Sequence, residues 1–394
     1  MRLESIAVRE IFDSRGSSTI EITGRDRRFW AEVPSGKSRG SNEAVVAGFA
    51  HAVRSVQTIV KRLEKRNFDS IQSLDNALLE LDGTKNKSKL GGNVTLAVSA
   101  AFARALAAER EQEVWQTLRS EFFPKSVSGK PPLIFSNLIN GGAHTDNNLN
   151  IQEYMVVVKP GGSVEKSVKT LIRFYGELAE FLKKAKKTRL ISLGDEGGYS
   201  LNFKNNFEPI SILEKLIGRY RLENQFFIAL DAAATGFYMS GKYHFGNRRL
   251  TARELVSEYA RYFKKSKPLF SIEDPFAEND VSGFALLREK LPRAWIVGDD
   301  LTVTSPSLIG RAAREKAINA VIIKPNQIGT VSEACEAMLV AKKHNMKTIV
   351  SHRSGETADN FIVHLAKAGN ADAVKIGAPV RERISKFNEL IRIF

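Results

Sequence analysis

The chain has 394 residues, with 59 Lys+Arg against 44 Asp+Glu and a formal charge of +15. That length predicts two or three domains, or one small domain joined to a large barrel. A composition of 43% hydrophobic and 26% charged residues excludes global disorder and collagen-like repeats. No apolar run approaches the roughly 18 residues of a bilayer span, and Glu4 and Arg9 break any secretory core at the start. The lone Cys335 excludes a disulfide framework and fits a reducing compartment. The basic surplus admits three partners: nucleic acid, an anionic membrane surface or an anionic substrate.

In chain order, residues 5–11, 18–23 and 28–33 read as short strands separated by polar turns. A two-glycine loop, Val33-Pro34-Ser35-Gly36-Lys37-Ser38-Arg39-Gly40-Ser41, follows. Apolar residues at three- and four-residue spacing predict helices over 42–63 and 69–81, and an Ala-rich one over 92–109. The Pro/Gly/Ser-rich segment 123–132 marks a boundary, dividing the chain into 1–125 and 126–394. Beyond it, apolar runs at 226–230, 269–272, 295–297, 320–323, 348–350 and 373–376 alternate with helical patterns. Thr251-x-x-Glu254 and Thr330-x-x-Glu333 open two of these helices as capping boxes. With strand-like 153–158 and 190–193 added, the alternation predicts a parallel sheet closed into a β/α barrel.

Nearly every run ends in an ionisable residue: Asp231, Glu273, Asp299, Lys324, His352 and Lys375. The C-terminal strand ends of such a barrel converge on one mouth, so these residues should meet around one cavity. Acids after strands often only cap the next helix, but lysines are poor caps and six such residues recur in order. Asp231, Glu273 and Asp299 are hard oxygen donors suited to Mg²⁺. Beside a divalent ion, Lys324 and Lys375 should have depressed pKa values, which makes Lys324 a candidate base; salt bridges to neighbouring carboxylates are the alternative. Glu153, Glu196 in Gly194-Asp195-Glu196-Gly197-Gly198, and His144 in a glycine loop are further candidates.

The stretches REIFDSRGSSTIE, VPSGKSRGSNEA, LDGTKNKSKLGGN, NLINGGAHTDNNLNIQEYM, GDEGGYS, SIEDPFAEND, GDDLTVT, KPNQIGTVSE, SHRSGETADNFI and VKIGAPVRERISKFNELIRI resemble the enolase family in order, over essentially the whole chain. The resemblance implies an α/β fold: an N-terminal α+β capping domain followed by a variant (β/α)8 TIM-like barrel. It implies a hydro-lyase of glycolysis and gluconeogenesis, reversibly dehydrating 2-phospho-D-glycerate to phosphoenolpyruvate with two Mg²⁺ ions. By motif, Asp231, Glu273 and Asp299 correspond to ligands of one magnesium and Ser38 to a ligand of the second. Lys324 matches the base, Glu196 the acid at the departing hydroxyl, and Glu153 the carboxylate assisting it. Lys375 resembles the partner of the substrate carboxylate, and Arg353 and Ser354 the phosphate binders. His144, His352, Gln152 and Asp300 complete the implied pocket. A cytoplasmic homodimer or octamer, with no membrane partner, is implied as well.

The chain departs from the family pattern at several positions. The loop usually reading SGAST is Ser35-Gly36-Lys37-Ser38-Arg39, which adds two positive charges beside the second metal position. Those charges admit a more anionic or phosphonate substrate as an alternative. Thr235-Gly236 replaces a Ser-Glu pair, and Lys375-Ile376-Gly377 replaces Lys-Thr-Gly. Basic clusters at 183–189, 264–268 and 342–347 fall at helix C-terminal ends, expected on the face opposite the mouth. That face admits a docking or nucleic-acid-binding role.

Overall fold

The computed structural model describes residues 1–3, 5–24, 28–37, 40–126 and 129–394. It opens with an antiparallel sheet of β1 (Ala7–Phe12), β2 (Ser18–Thr23) and β3 (Trp30–Glu32). Against it pack α1 (Phe49–Leu63), α2 (Ile71–Asp82), α3 (Gly92–Glu109) and α4 (Val114–Phe122). α3 is buried on almost every side because it lies between this sheet and the barrel, which explains its small side chains. A Cβ on Gly92 would come within 2.5 Å of the Ala44 side chain, so only glycine lets that segment cross the helix start.

The helix expected over 42–63 begins only at Phe49. The backbone before it is committed elsewhere: Ala44 N donates to Gln327 O, Val45 N to Asn86 O, and Val45 O accepts from Gly92 N. α4 has no counterpart among the expected helices; its start is a capping box of Glu113 and Gln116. The Thr251 box forms in full, whereas at Thr330 the hydroxyl takes Glu333 N and itself donates to the Glu333 carboxylate.

The second part of the chain comprises β4 (Leu133–Asn140), β5 (Glu153–Val158), α5 (Val164–Lys186), the short β6 (Ser192–Leu193) and β7 (Tyr199–Ser200), α6 (Glu208–Arg219) and β8 (Phe226–Asp231). A side meander of β9 (Tyr238–Met239), β10 (Lys242–Phe245) and β11 (Arg248–Leu250) leads to α7 (Ala252–Lys265). Then come β12 (Leu269–Glu273), α8 (Val281–Lys290), β13 (Trp295–Gly298), α9 (Pro306–Arg314), β14 (Ala320–Ile323) and α10 (Pro325–Ile328). The chain continues through α11 (Val331–Lys343), β15 (Lys347–Ser351), α12 (Phe361–Ala368), β16 (Ala373–Ile376) and α13 (Ile384–Ile393).

The barrel closes in the order β4, β5, β8, β12, β13, β14, β15, β16 and back to β4. Its pairings are parallel except that β5 runs antiparallel to both neighbours, a correction to the all-parallel expectation. β4 is not among the expected runs, because Ser136, Asn137 and Asn140 interrupt its apolar pattern; all three are buried.

The reversal of β5 moves one basic cluster. β5 runs from the mouth to the base, so α5 climbs back and ends at the mouth, where Lys186 pairs with Glu208 at the start of α6. Residues 183–189 therefore lie on the mouth side, not opposite it. Lys264, Lys265, Lys342 and Lys343 end α7 and α11, each of which leads into the base of a parallel strand, as expected.

A barrel interior follows from the two-residue period of strands. Phe135, Met155, Val157, Ala229, Val297, Ala320, Ile322, Ile349 and Ala373 form one apolar cluster with Phe227, Phe270 and Trp295 around it. Continuing each strand by two residues toward the mouth reaches Asn137, Glu153, Asp231, Asp299, Lys324 and Lys375. β12 keeps this phase through an irregularity between Leu269 and Ser271, which sets Glu273 beside Asp231.

Buried polar contacts join the two parts, two of them made by side chains of α3 and α2. Arg104 of α3 forks onto Asp359 at 2.7 and 3.0 Å with its guanidinium over Trp30. Asp75 of α2 accepts from Ser332 N at the start of α11, at 2.9 Å. Among the described residues no helix is long and apolar enough to cross a membrane.

Candidate active site

Lys375 occupies the centre of the mouth. Its Nζ lies 2.8 Å from Glu273 Oε2, 3.0 Å from Asp231 Oδ2 and 3.3 Å from Glu153 Oε1, all buried. Burial works against its charge, but Asp231, Glu153 and Glu273 outweigh that and raise its pKa well above the lysine value. Lys324 is ion-paired directly with Asp299, whose other oxygen accepts from Gln327 Nε2 at 2.9 Å. Burial lowers the Lys324 pKa, yet Asp299 outweighs it and the net shift is upward. Both ammoniums are thus held charged by the carboxylates that face them, the salt-bridged arrangement.

The structure brings Asp231 and Glu273 together on one ammonium and places Asp299 on the other. Glu273 Oε1 is buried with no hydrogen-bond partner among the described residues, and burial followed by Asp231 raises the Glu273 pKa well above normal. These three buried carboxylates, one with an orphaned oxygen, are donors of the chemistry a hard divalent cation takes. Asp300, pushed up to about 7 by burial and Asp299, lies beside Asp274. Asp274 itself accepts from the backbone N of Asp299 and of Asp300, at 2.9 and 2.7 Å, so it braces that turn. Ser38 and Arg39 lie outside the described residues.

Glu196 is buried in the glycine turn, held by Asn137 Nδ2 at 3.0 Å with His352 Nε2 3.4 Å away and His144 Nδ1 at 4.0 Å. Burial would raise its pKa, but the two imidazoles hold it well below the carboxylate range. Glu153 is raised well above that range by burial and then by Glu196. His144, Glu153 and Glu196 present atoms all within 4.8 Å of one another. The two carboxyls therefore lie close enough to share one proton. The resemblance assigns that proton to Glu196. Burial lowers both histidines.

Arg353 and Ser354 follow β15 at the mouth, and Gln152 precedes β5; all three are buried. The Arg353 guanidinium contacts both Glu43 oxygens at 3.2 Å and Asn326 Oδ1 at 2.9 Å. Ser354 Oγ accepts from Lys37 N at 2.9 Å. Lys37 Nζ lies 3.0 Å from Asp195 Oδ2, so one of the two extra charges expected at the chemistry is paired on the rim. The cavity enclosed by these residues has a volume of about 20 Å³, about one water. Sequence reasoning missed Glu43, Asn137 and Gln327. Asn137 was findable from the inward phase of β4; Glu43 lay inside a stretch read as helix.

The fold and the mouth together define a capped β/α barrel whose mouth gathers a carboxyl pair, two lysines and a buried arginine. Residues 130–394 match the family described as the enolase C-terminal TIM barrel domain, and residues 3–118 the enolase N-terminal domain. Similar proteins include the enolase of Ehrlichia chaffeensis, 38% identical over 413 aligned positions that cover 99% of this chain and 96% of that protein. The enolase of Anaplasma phagocytophilum is 39% identical, covering 100% and 94%. That of Campylobacter jejuni subsp. doylei is 38% identical, covering 100% and 97%. The chain belongs to the enolase family.

Proposed function

We propose that this protein is an active enolase that reversibly dehydrates 2-phospho-D-glycerate to phosphoenolpyruvate with Mg²⁺. The observation that carries this reading is the seating of acid and base in the ring of eight strands. Lys324 follows β14, and Glu153 begins β5, four strands away in either direction. A proton acceptor and a proton donor on opposite walls suit an elimination that removes hydrogen from one face and hydroxide from the other.

Asp231, Glu273 and Asp299, on three consecutive strands of the arc between them, would hold the divalent cation. When bound, that ion supplies positive charge against the substrate carboxylate, which makes the adjacent C2 proton acidic. The same carboxylates hold the Lys324 and Lys375 ammoniums protonated, so their engagement by a cation would favour a neutral Lys324. Lys324 then accepts the C2 proton. The Glu153–Glu196 pair gives its proton to the C3 hydroxyl, which leaves as water. Asn137 and His352 hold Glu196 toward the cavity. Arg353, planar and pre-oriented by Glu43 and Asn326, suits the phosphate, with Ser354 beside it. The pairing of Lys37 with Asp195 balances one of the two charges on which a more anionic substrate rested.

The test is incubation of the purified protein with 2-phosphoglycerate and Mg²⁺, following the product's vinyl protons by NMR. Their appearance with Mg²⁺ and absence under chelation supports the reading; no product at saturating Mg²⁺ overturns it.

A further inference from the structure

We propose that Lys37 is a positioning residue that clasps two active-site loops together across the mouth. Resting on the functional reading above, the proposal starts from how tightly residues 34–37 are seated. Ser35 and Gly355 exchange both backbone hydrogen bonds, at 2.7 and 2.9 Å. Asn326 Nδ2 donates to Pro34 O at 2.9 Å, and Ser35 Oγ donates to Asp13 Oδ2 at 2.5 Å. Lys37 N then donates to Ser354 Oγ, a phosphate candidate. From this fixed base the Lys37 side chain reaches over the rim to Asp195.

Asp195 is the neighbour of Glu196 in a turn that has little freedom of its own. Gly194 N donates to Gly198 O, Gly197 N to Gly194 O, and Ala378 N to Glu196 O. A Cβ on Gly198 would fall 2.4 Å from Asn140 Oδ1, so the turn is pressed against β4. The Lys37–Asp195 pair thus connects the corner that would hold the phosphate to the turn that carries the acid. It joins a side chain near the start of the sequence to one at its middle, and the Asp195 carboxylate is about three-quarters shielded from solvent. Lys37 stands where the family's loop has alanine, so the clasp belongs to this chain's own sequence.

The test is hydrogen–deuterium exchange at the backbone amides of Ser35 and Lys37 without substrate, in Lys37→Gln, Asp195→Asn and the exchanged pair Lys37→Asp with Asp195→Lys. A partly exposed ion pair implies a two- to fivefold acceleration, roughly, in each single variant. The exchanged pair restores the original rate, and high salt brings the unaltered protein to the single-variant rate. KM for 2-phosphoglycerate rises by a similar factor in the single variants while kcat stays within about twofold. Unchanged exchange in both single variants overturns the proposal, as does an exchanged pair no slower than they are. Exchange rates that follow the expectation in a protein with no turnover would count against the proposed activity and leave the clasp standing.

Discussion

Glu153 stands directly opposite Asp231 in the register of two antiparallel strands. The first residue of one strand and the last of the other therefore share one level of the barrel. In an all-parallel barrel the start of a strand lies at the base, far from the mouth. Reversal of β5 is what brings Glu153 to Lys375 and Glu196.

The paired carboxyls lead to the first prediction. Glu153→Gln keeps the size of the side chain but cannot supply the shared proton. The expected result is a fall in kcat for dehydration of about 10²–10⁴-fold, with the circular dichroism spectrum and KM little changed. Steady-state kinetics check this; kcat within a factor of three of the unaltered protein would show that the proton comes from elsewhere.

Glu273, with its orphaned oxygen, leads to the second. Glu273→Gln removes one charge from the proposed cation site and weakens Mg²⁺ binding by at least about tenfold. Isothermal titration with Mg²⁺ alone reads this without reference to turnover. Equal affinities in the two proteins would place the cation on other ligands.

Asp75 concerns stability. Burial pushes its carboxyl up to about 6, despite the hydrogen bonds from Ser332. The folded value lies above the unfolded one, so the folded state binds the proton more tightly. The stabilisation is complete below about pH 4 and is lost as pH rises through 6. Asp75→Asn keeps an acceptor for Ser332 without the charge. Its stability relative to the unaltered protein should rise between pH 4 and 7.5, by up to about 3 kcal/mol. Urea midpoints across that range check the slope; a flat difference would mean that Asp75 does not titrate there.

Much of the site was legible because a strand alternates its faces every two residues. Asp299, Lys324 and Lys375 stand out as ionisable ends of apolar runs, and the same phase puts them inside the barrel. What alternation cannot reveal is strand direction, so the placement of Glu153 at the mouth and of residues 183–189 on the mouth side came only with the fold. Glu43 was hidden for a different reason. Its neighbours carry helical spacing, yet their backbone bonds go to Gln327, Asn86 and Gly92, a tertiary preference that outweighs local propensity. Glu196 meets two histidines brought together from distant segments, and no local pattern carries that.

The opposition of Lys324 and the Glu153–Glu196 pair is tested most directly by following C2 hydrogen exchange of 2-phosphoglycerate in D₂O with Mg²⁺. If the base and the acid are separate groups on opposite walls, Glu196→Gln loses dehydration but still exchanges the C2 hydrogen, whereas Lys324→Ala loses both. Exchange at the unaltered rate in Lys324→Ala would contradict the account.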